Sequence, residues 1–369
     1  MLKERLRTIK PSNLLSKVLR EGQNLYGIDM GSKSIKIVRL SRKSKSDSWA
    51  LERWAYLPFP GTGEISLTEK MPEAIHLIKD FLGKEKRGAR SAAISVSGNS
   101  VVIRYVKLAK TTKEQLAKML PLEAEPYIPF AIPEVNLGFE ILGEVTEEGQ
   151  TKMDTVLVAV KKELLAQYLN TIKLCGLQPA VVDIDAFCLQ RVTPMPAAPS
   201  GSGPDEAVMA INIGASLATI SILEQGVCRV ARDVFIAGNA IDKALQRNLN
   251  LSFEEAEKAK QNVSLAAPEG SEISKTLIAV LKDLVLEIQR SLDFYLSQRA
   301  ERQIQKVFLS GGSARLRDLT TFLSNEIRLP VELLDPFSGI KGGEGVPPEL
   351  KPHLAIAVSL AMRREGDNE

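Results

Sequence analysis

Two stretches, about 180 residues apart, place a small-residue turn directly after an apolar strand. The first reads Gly27-Ile28-Asp29-Met30-Gly31-Ser32-Lys33-Ser34-Ile35-Lys36, and the second reads Ile211-Asn212-Ile213-Gly214-Ala215-Ser216-Leu217. Turns of this kind present successive backbone N–H groups and can wrap phosphate oxygens. Glycine is needed at the point of closest approach, where a side chain would stand in the way. Ser32 adds a hydroxyl donor, and Lys36, with Lys33 in the turn itself, adds positive charge against phosphate. Asp29, at the strand end, suits Mg²⁺ held through water, because hard cations prefer oxygen ligands. A third element is the strand Lys306–Leu309, which breaks into Ser310-Gly311-Gly312-Ser313, a glycine pair against which a flat ring can lie. A fourth is Glu257 with Lys260, three apart and so on one helix face. Taken singly, each also reads as something ordinary: a hairpin with glycine at its turn, a strand-to-helix turn, a solvated ion pair.

Composition removes other chemistries. The two histidines, His76 and His353, lack ligand or triad partners at motif spacing, which argues against histidine-rich metal sites and Ser-His-Asp hydrolysis. Cys175, Cys188 and Cys228 are odd in number, form no CxxC and sit in apolar stretches. They read as buried thiols of a reducing compartment. No apolar run reaches the roughly 18–20 residues of a membrane span. No h-region follows the basic start, so the sequence reads as a cytoplasmic protein. The net charge of +3 makes no global case for nucleic acid. It conceals an asymmetry, because residues 1–45 hold 12 Lys/Arg against 3 Asp/Glu, or +9, leaving −6 for the rest.

The elements that must position these residues follow from pattern. The 369 residues suggest two or three domains. Residues 1–22 form a separate basic extension, with Leu14, Leu15, Val18 and Leu19 at helical spacing. Leu25–Asp29 and Ile35–Val38 pair as a hairpin, followed by a helix over 70–83. Residues 98–180 read as an insert of order βαββαβ: strand 101–106, a helix capped by Thr111 or Thr112 and ending before Pro126, strands 135–143 and 154–160, a helix over 161–175, and strand 180–184. Residues 194–205, rich in Pro, Gly and Ser, read as a linker. A second hairpin, 207–213 with 218–223, opens the remainder. Helices follow over 239–249 and 253–262, the latter with a Ser252/Glu255 capping box, then 272–298, and a last apolar helix over 352–363. The class is α/β.

In this order and at these separations, the four elements resemble the actin-like ATPase fold. Asp29, Gly31, Ser32 and Lys36 match its phosphate-1 pattern Asp-x-Gly-Ser-x-x-x-Lys. The stretch around Asn212, Gly214, Ala215 and Ser216 matches phosphate-2, and Gly311, Gly312 and Ser313 match the adenosine motif. Glu257 and Lys260 fall where that family contacts ribose and adenine. The run Glu123-Ala124-Glu125-Pro126-Tyr127-Ile128-Pro129-Phe130 resembles a motif of the PilM family, the FtsA-like branch that serves type IV pilus assembly. The resemblance covers about residues 24–363. It implies two lobes of ribonuclease-H-like topology, with 23–97, 181–193 and 352–369 forming the first-lobe core, 98–180 its insert, and 206–351 the second lobe. It implies ATP with Mg²⁺ in the cleft and Asp29 toward the metal. Its further implications are self-association, a site at the cytoplasmic face of the inner membrane, and capture of the N-terminal cytoplasmic peptide of a PilN-like membrane protein. Tyr127, Pro129 and Phe130 are the candidate peptide contacts.

Asn212 departs from the family pattern, which has Asp there. Asparagine keeps an acceptor oxygen and loses the charge. Asp183, Asp185 and Gln190 are the local candidates for positioning a water. The expectation is nucleotide binding with slow or absent hydrolysis. Three readings compete: a filament-forming or type II secretion relative, a sugar kinase of the same fold, and a scaffold without nucleotide. The extension at 1–22, with 6 Lys/Arg against 2 Glu, reads either as a solvated tail or as a weak contact to anionic membrane.

Overall fold

The computed structural model describes residues 25–42, 48–60, 69–83, 90–147, 149–195, 206–266, 271–299 and 301–364. The expected basic extension at 1–22 lies outside these residues, as does nearly all of the expected linker at 194–205.

The first lobe starts with an antiparallel meander, β1 (Tyr26–Met30), β2 (Ser34–Arg42) and β3 (Trp49–Pro58). Helix α1 (Met71–Leu82) carries Pro72 in its first turn and buries Met71, Ala74, Ile78 and Leu82. Strand β4 (Ser91–Val96) is buried along its whole length. The insert then runs β5 (Val101–Ala109), α2 (Lys113–Ala124), β6 (Val135–Glu147) and β7 (Gln150–Lys161). Thr112 caps α2 through a capping box with Gln115. Next come α3 (Lys162–Leu174), β8 (Gln178–Ile184) and α4 (Asp185–Val192).

The second lobe repeats the scheme: a meander β9 (Glu206–Ile213), β10 (Ala218–Glu224), β11 (Val227–Val234), then α5 (Gly238–Leu249), α6 (Phe253–Asn262), α7 (Glu272–Gln298), β12 (Gln303–Ser310), α8 (Leu319–Ile327) and β13 (Val331–Leu333). Ser252 caps α6 in the expected box with Glu255. The chain returns to the first lobe through β14 (Ile340–Lys341) and α9 (Ala355–Ala361).

Sheet order shows the duplication. The first sheet is β14-β3-β2-β1-β4-β8 and the second is β11-β10-β9-β12-β13. In both, three antiparallel strands continue into strands that run parallel to the first of the three. Helices α1 and α3 cover one face of the first sheet. Helices α4 and α9 lie between the lobes, burying Cys188, Leu189, Ile356 and Leu360 against Ala93 and Ala210. Gly27 marks the tightest point of that packing: a Cβ there would run into the backbone of Ala357 and Ala361.

The βαββαβ order is present, but its members divide. Strands β5, β7 and β6 make a separate three-stranded sheet, covered by α2. Helix α3 joins the first-lobe core through Tyr168 and Ile172, and β8 pairs parallel with β4. Local pattern gives element order; it cannot give the long-range partner of a strand such as β8, whose pairing is set by burial on both faces.

Candidate functional site

Strand register builds the site. Asp29 and Lys36 are direct cross-strand partners in the β1–β2 pair, so their side chains share a face. They meet at 3.1 Å, both largely buried. The turn between them is held by Gly31, whose N–H donates to the Ser34 carbonyl at 3.1 Å. A Cβ on Gly31 would lie 2.6 Å from the Lys36 ammonium and 3.2 Å from the Ser34 carbonyl oxygen, so a side chain there would push the lysine from its position over the turn. Ser34 is buried at the start of β2.

The second turn faces the first. Ser216 Oγ donates to Ser32 Oγ at 2.8 Å, and Asn239 Nδ2, at the start of α5, donates to Ser216 Oγ at 3.2 Å. Gly214 and Ala215 anchor α5, their carbonyls accepting from Gly238 N–H at 3.2 Å and Asn239 N–H at 2.7 Å. The third turn closes on the second: Ser313 Oγ donates to the Gly214 carbonyl at 2.9 Å. Gly311 has φ +87°, and a Cβ there would lie 2.9 Å from Asn212 Oδ1. Gly312 lies against the His353 ring, 3.3 Å from where a Cβ would stand. Burial holds His353 neutral, with Lys36 and Arg315 adding to the effect and its pKa brought down to about 4.

Across the cleft lies a network of four charges. Lys33, from the first turn, reaches Asp242 on α5 at 3.0 Å and pairs closely with Glu257 on α6. Lys260 reaches Asp242 at 2.6 Å and Glu257 at 3.0 Å. Asp242 is 1 % exposed, and burial raises its pKa against the pull of both lysines. Burial also opposes the Glu257 charge, but Lys260 and Lys33 outweigh it and hold the carboxyl at about 2. The Lys33 ammonium lies 4.8 Å from the centre of the Phe253 ring. Lys70 donates to the Ser32 carbonyl at 2.9 Å and so braces the first turn from behind.

The candidates for positioning water separate cleanly. Asp183 is buried and paired with Arg363 at 3.2 Å. Gln190 accepts from the Cys228 N–H at 3.1 Å, a strut between α4 and β11. Neither faces the cleft chemistry. Asp185 does: it opens α4, accepts from Ser95 and Ser97, and stands close enough to Asp29 and Asp233 to feel both charges. Burial first, and then Asp29, raise its pKa to about 7. Asp233, which accepts from Gly98 N–H at 2.6 Å and Thr219 Oγ1 at 2.8 Å, was missed by sequence reasoning, as was Asp242. A usable signal existed for Asp242: an acidic residue beside the apolar stripe Ile241, Ala244, Leu245 of α5 needs a buried counter-charge. Asn212 stands opposite Ser310 in the β9–β12 register, and its Oδ1 accepts from Ser310 Oγ at 3.1 Å. The acceptor that asparagine retains is therefore already in use.

The arrangement suits a polyanion with a neutral ring. Two small-residue turns face each other, a lysine folds over one of them, and a glycine pair lies behind. Among the described residues no group of three or more His, Cys, Asp or Glu could cage a metal ion. Asp29, paired with Lys36, presents one carboxylate at the first turn, a donor that suits a cation keeping most of its own waters.

The candidate peptide contacts lie elsewhere, where α2 turns toward β6. Tyr127 and Pro129 are exposed, and Phe130 is half-buried against the insert core. The Lys161 ammonium lies 4.6 Å from the Phe130 ring centre, at the junction of the insert with α3. Among the described residues no helix is long and apolar enough to cross a membrane.

Comparison with known proteins places this geometry. Residues 27–365 match the family model described as type IV pilus assembly protein PilM. The structure of a PilM–PilN type IV pilus biogenesis complex is similar at 24% identity, with TM-score 0.74 over 92% of this chain and 98% of that one. MreB5 of Spiroplasma citri, solved bound to AMPPNP, is similar at 12% identity and TM-score 0.50, over 92% and 95% of the two chains. Cell division protein FtsA of Bacillus subtilis is 24% identical over 261 residues, 65% of this chain and 58% of that protein. FtsA of Staphylococcus epidermidis matches over 48% of its length, so the chain spans about half the length of these two relatives. These likenesses fix the fold as actin-like, two lobes with an insert in the first.

Proposed function

The chain belongs to the PilM family of type IV pilus assembly proteins, and from that premise we propose that it is a nucleotide-binding adaptor at the cytoplasmic face of the inner membrane. It binds ATP with Mg²⁺ between its lobes and captures the N-terminal cytoplasmic peptide of a PilN-like membrane protein beside its insert. The observation that carries the nucleotide half is the meeting of the two turns: Ser32 and Ser216, 184 positions apart, hydrogen-bond across the cleft mouth. Around that contact stand Asp29 and Lys36 for phosphate and cation, Glu257 for a sugar hydroxyl, and Gly311 and Gly312 for a ring. Bound ATP supplies negative charge to both lobes at once and so biases their closure, a population shift rather than a chemical output.

Hydrolysis is slow in this reading. Asn212 lacks the charge to organise a cation's waters, and one lone pair of its oxygen is engaged by Ser310. Asp185, which feels the charge of Asp29, is held partly protonated near neutral pH.

The peptide half is supported by the exposed aromatic segment at Tyr127–Phe130 beside the insert–first-lobe junction. An extended peptide there gains backbone hydrogen bonds and pockets for alternate side chains. The test is titration calorimetry of the full chain with ATP, with and without Mg²⁺, followed by pull-down with the first ~15 residues of inner-membrane pilus proteins. Magnesium-dependent ATP binding and capture of one such peptide are expected. A chain that binds no nucleotide overturns the cleft assignment, and a chain that captures no peptide in either nucleotide state overturns the adaptor assignment.

A further inference from the structure

The ammonium of Lys33 does not lie over its own turn. It crosses the cleft to Asp242 at 3.0 Å and to Glu257, and its side chain keeps 30% exposure. The other lysines of the site are fixed. Lys36 is locked to its register partner Asp29, with 14% exposure. Lys260 is 7% exposed and lies between two carboxylates of its own lobe. Lys33 is thus the one member of the four-charge network supplied by the first lobe.

We infer that Lys33 is an exchangeable clasp through which the cleft senses phosphate: without phosphate it holds Asp242 and Glu257 across the cleft, and a polyphosphate draws its ammonium away and frees Glu257 for a sugar hydroxyl. This deepens the nucleotide reading and rests on it. Charge balance makes the exchange feasible. With Lys33 in place, two lysines face two carboxylates. When it leaves, Asp242 keeps Lys260 at 2.6 Å and Glu257 keeps it at 3.0 Å, so neither buried carboxylate is left without a partner. One negative charge becomes uncompensated, and it lies on Glu257, the more exposed of the two at 27% against 1%. A hydroxyl donor is what such a carboxylate accepts. Lys70, bonded to the Ser32 carbonyl, keeps the turn in place while the Lys33 side chain moves.

The consequence is selectivity by phosphate content. A nucleoside that reaches for Glu257 must break the Lys33 pair and offers nothing in return. A nucleoside triphosphate offers several charged oxygens within the same turn. Removing the lysine therefore acts in opposite directions on the two ligands.

The experiment is calorimetry with ATP and with adenosine, in Mg²⁺ buffer, on the full chain and on Lys33→Met and Lys33→Arg. Lys33→Met is expected to weaken ATP and tighten adenosine, each by about tenfold, the scale of one charge-assisted hydrogen bond. Lys33→Arg, which keeps the charge, is expected to stay near the parent for both. Loss of ATP affinity with adenosine unchanged or weakened would make Lys33 a plain phosphate ligand and overturn the clasp, as would no change in either ligand. A parent chain that binds ATP while Lys33→Met fails these signs sinks the clasp alone. A parent chain that binds neither ligand sinks the cleft assignment and the clasp with it.

Discussion

Asp185 gives the sharpest stability prediction. Its carboxyl is half-buried at the start of α4, within reach of the charges of Asp29 and Asp233, and its pKa rises from 3.8 to about 7. Below about pH 4 both native and unfolded chains hold the proton and the group is neutral in its effect. As pH rises from about 4 to 7, the unfolded chain loses the proton while the native chain keeps it, so native stability falls. Above about pH 7 the loss is complete. Three pH units at about 1.4 kcal/mol each set a ceiling of about 4 kcal/mol. Most of that loss falls between pH 5 and pH 8. Asp185→Asn keeps the shape, can still pair with Ser95 and Ser97, and cannot ionise. Urea unfolding of parent and variant at both pH values gives a double difference in which other titrations, that of His353 included, cancel. The variant is expected to gain about 2–3 kcal/mol on the parent between pH 5 and pH 8, the two units over which the native carboxyl alone keeps its proton. An equal difference at the two pH values would refute the placement of an ionisable, desolvated carboxylate at this point.

Gly27→Ala is expected to lower stability by about 3 kcal/mol or more, because the added methyl meets backbone of α9 that cannot rotate away; thermal unfolding measures it, and a change below about 1 kcal/mol would contradict the packing. Arg363→Met leaves Asp183 buried without its counter-charge and is expected to cost about 3 kcal/mol at neutral pH, with Asp183→Asn in the same chain restoring part of it in urea melts.

The sequence showed its local rules clearly and its long-range ones poorly. Asp29 and Lys36 were readable because a tight hairpin fixes its own register: residues seven apart across such a turn become neighbours whatever the rest of the chain does. The Ser252/Glu255 box was readable for the same reason. Strand β3 escaped notice because Trp49, Leu51 and Trp54 alternate poorly with Glu52 and Arg53, and most of its residues are only half-buried. Strand β4, Ser-Ala-Ala-Ile-Ser-Val, has small residues where β-branched ones are expected, yet it lies buried between β1 and β8. Both are decided by what packs on them.

The same division runs through the site. Each turn could be named from its own ten residues, but the use of each side chain depended on a partner far along the chain. Lys33 reads as a phosphate ligand from its place in the first turn. Its partners in the structure are 209 and 224 positions away, and Asp242, which pairs with both Lys33 and Lys260, belongs to no motif. Asn212 shows the converse. Its departure from the family's Asp looked like a simple loss of charge. The register of β9 against β12 shows that its oxygen is engaged by Ser310, so this position joins the second turn to the third. A carboxylate at that position would accept the same hydroxyl with a second oxygen to spare. The expected test is Asn212→Asp: if the missing charge is what limits hydrolysis, phosphate release measured with malachite green rises about a hundredfold or more, the scale of one electrostatic contact to a transition state. An unchanged rate would move the limit from Asn212 to the protonated fraction of Asp185.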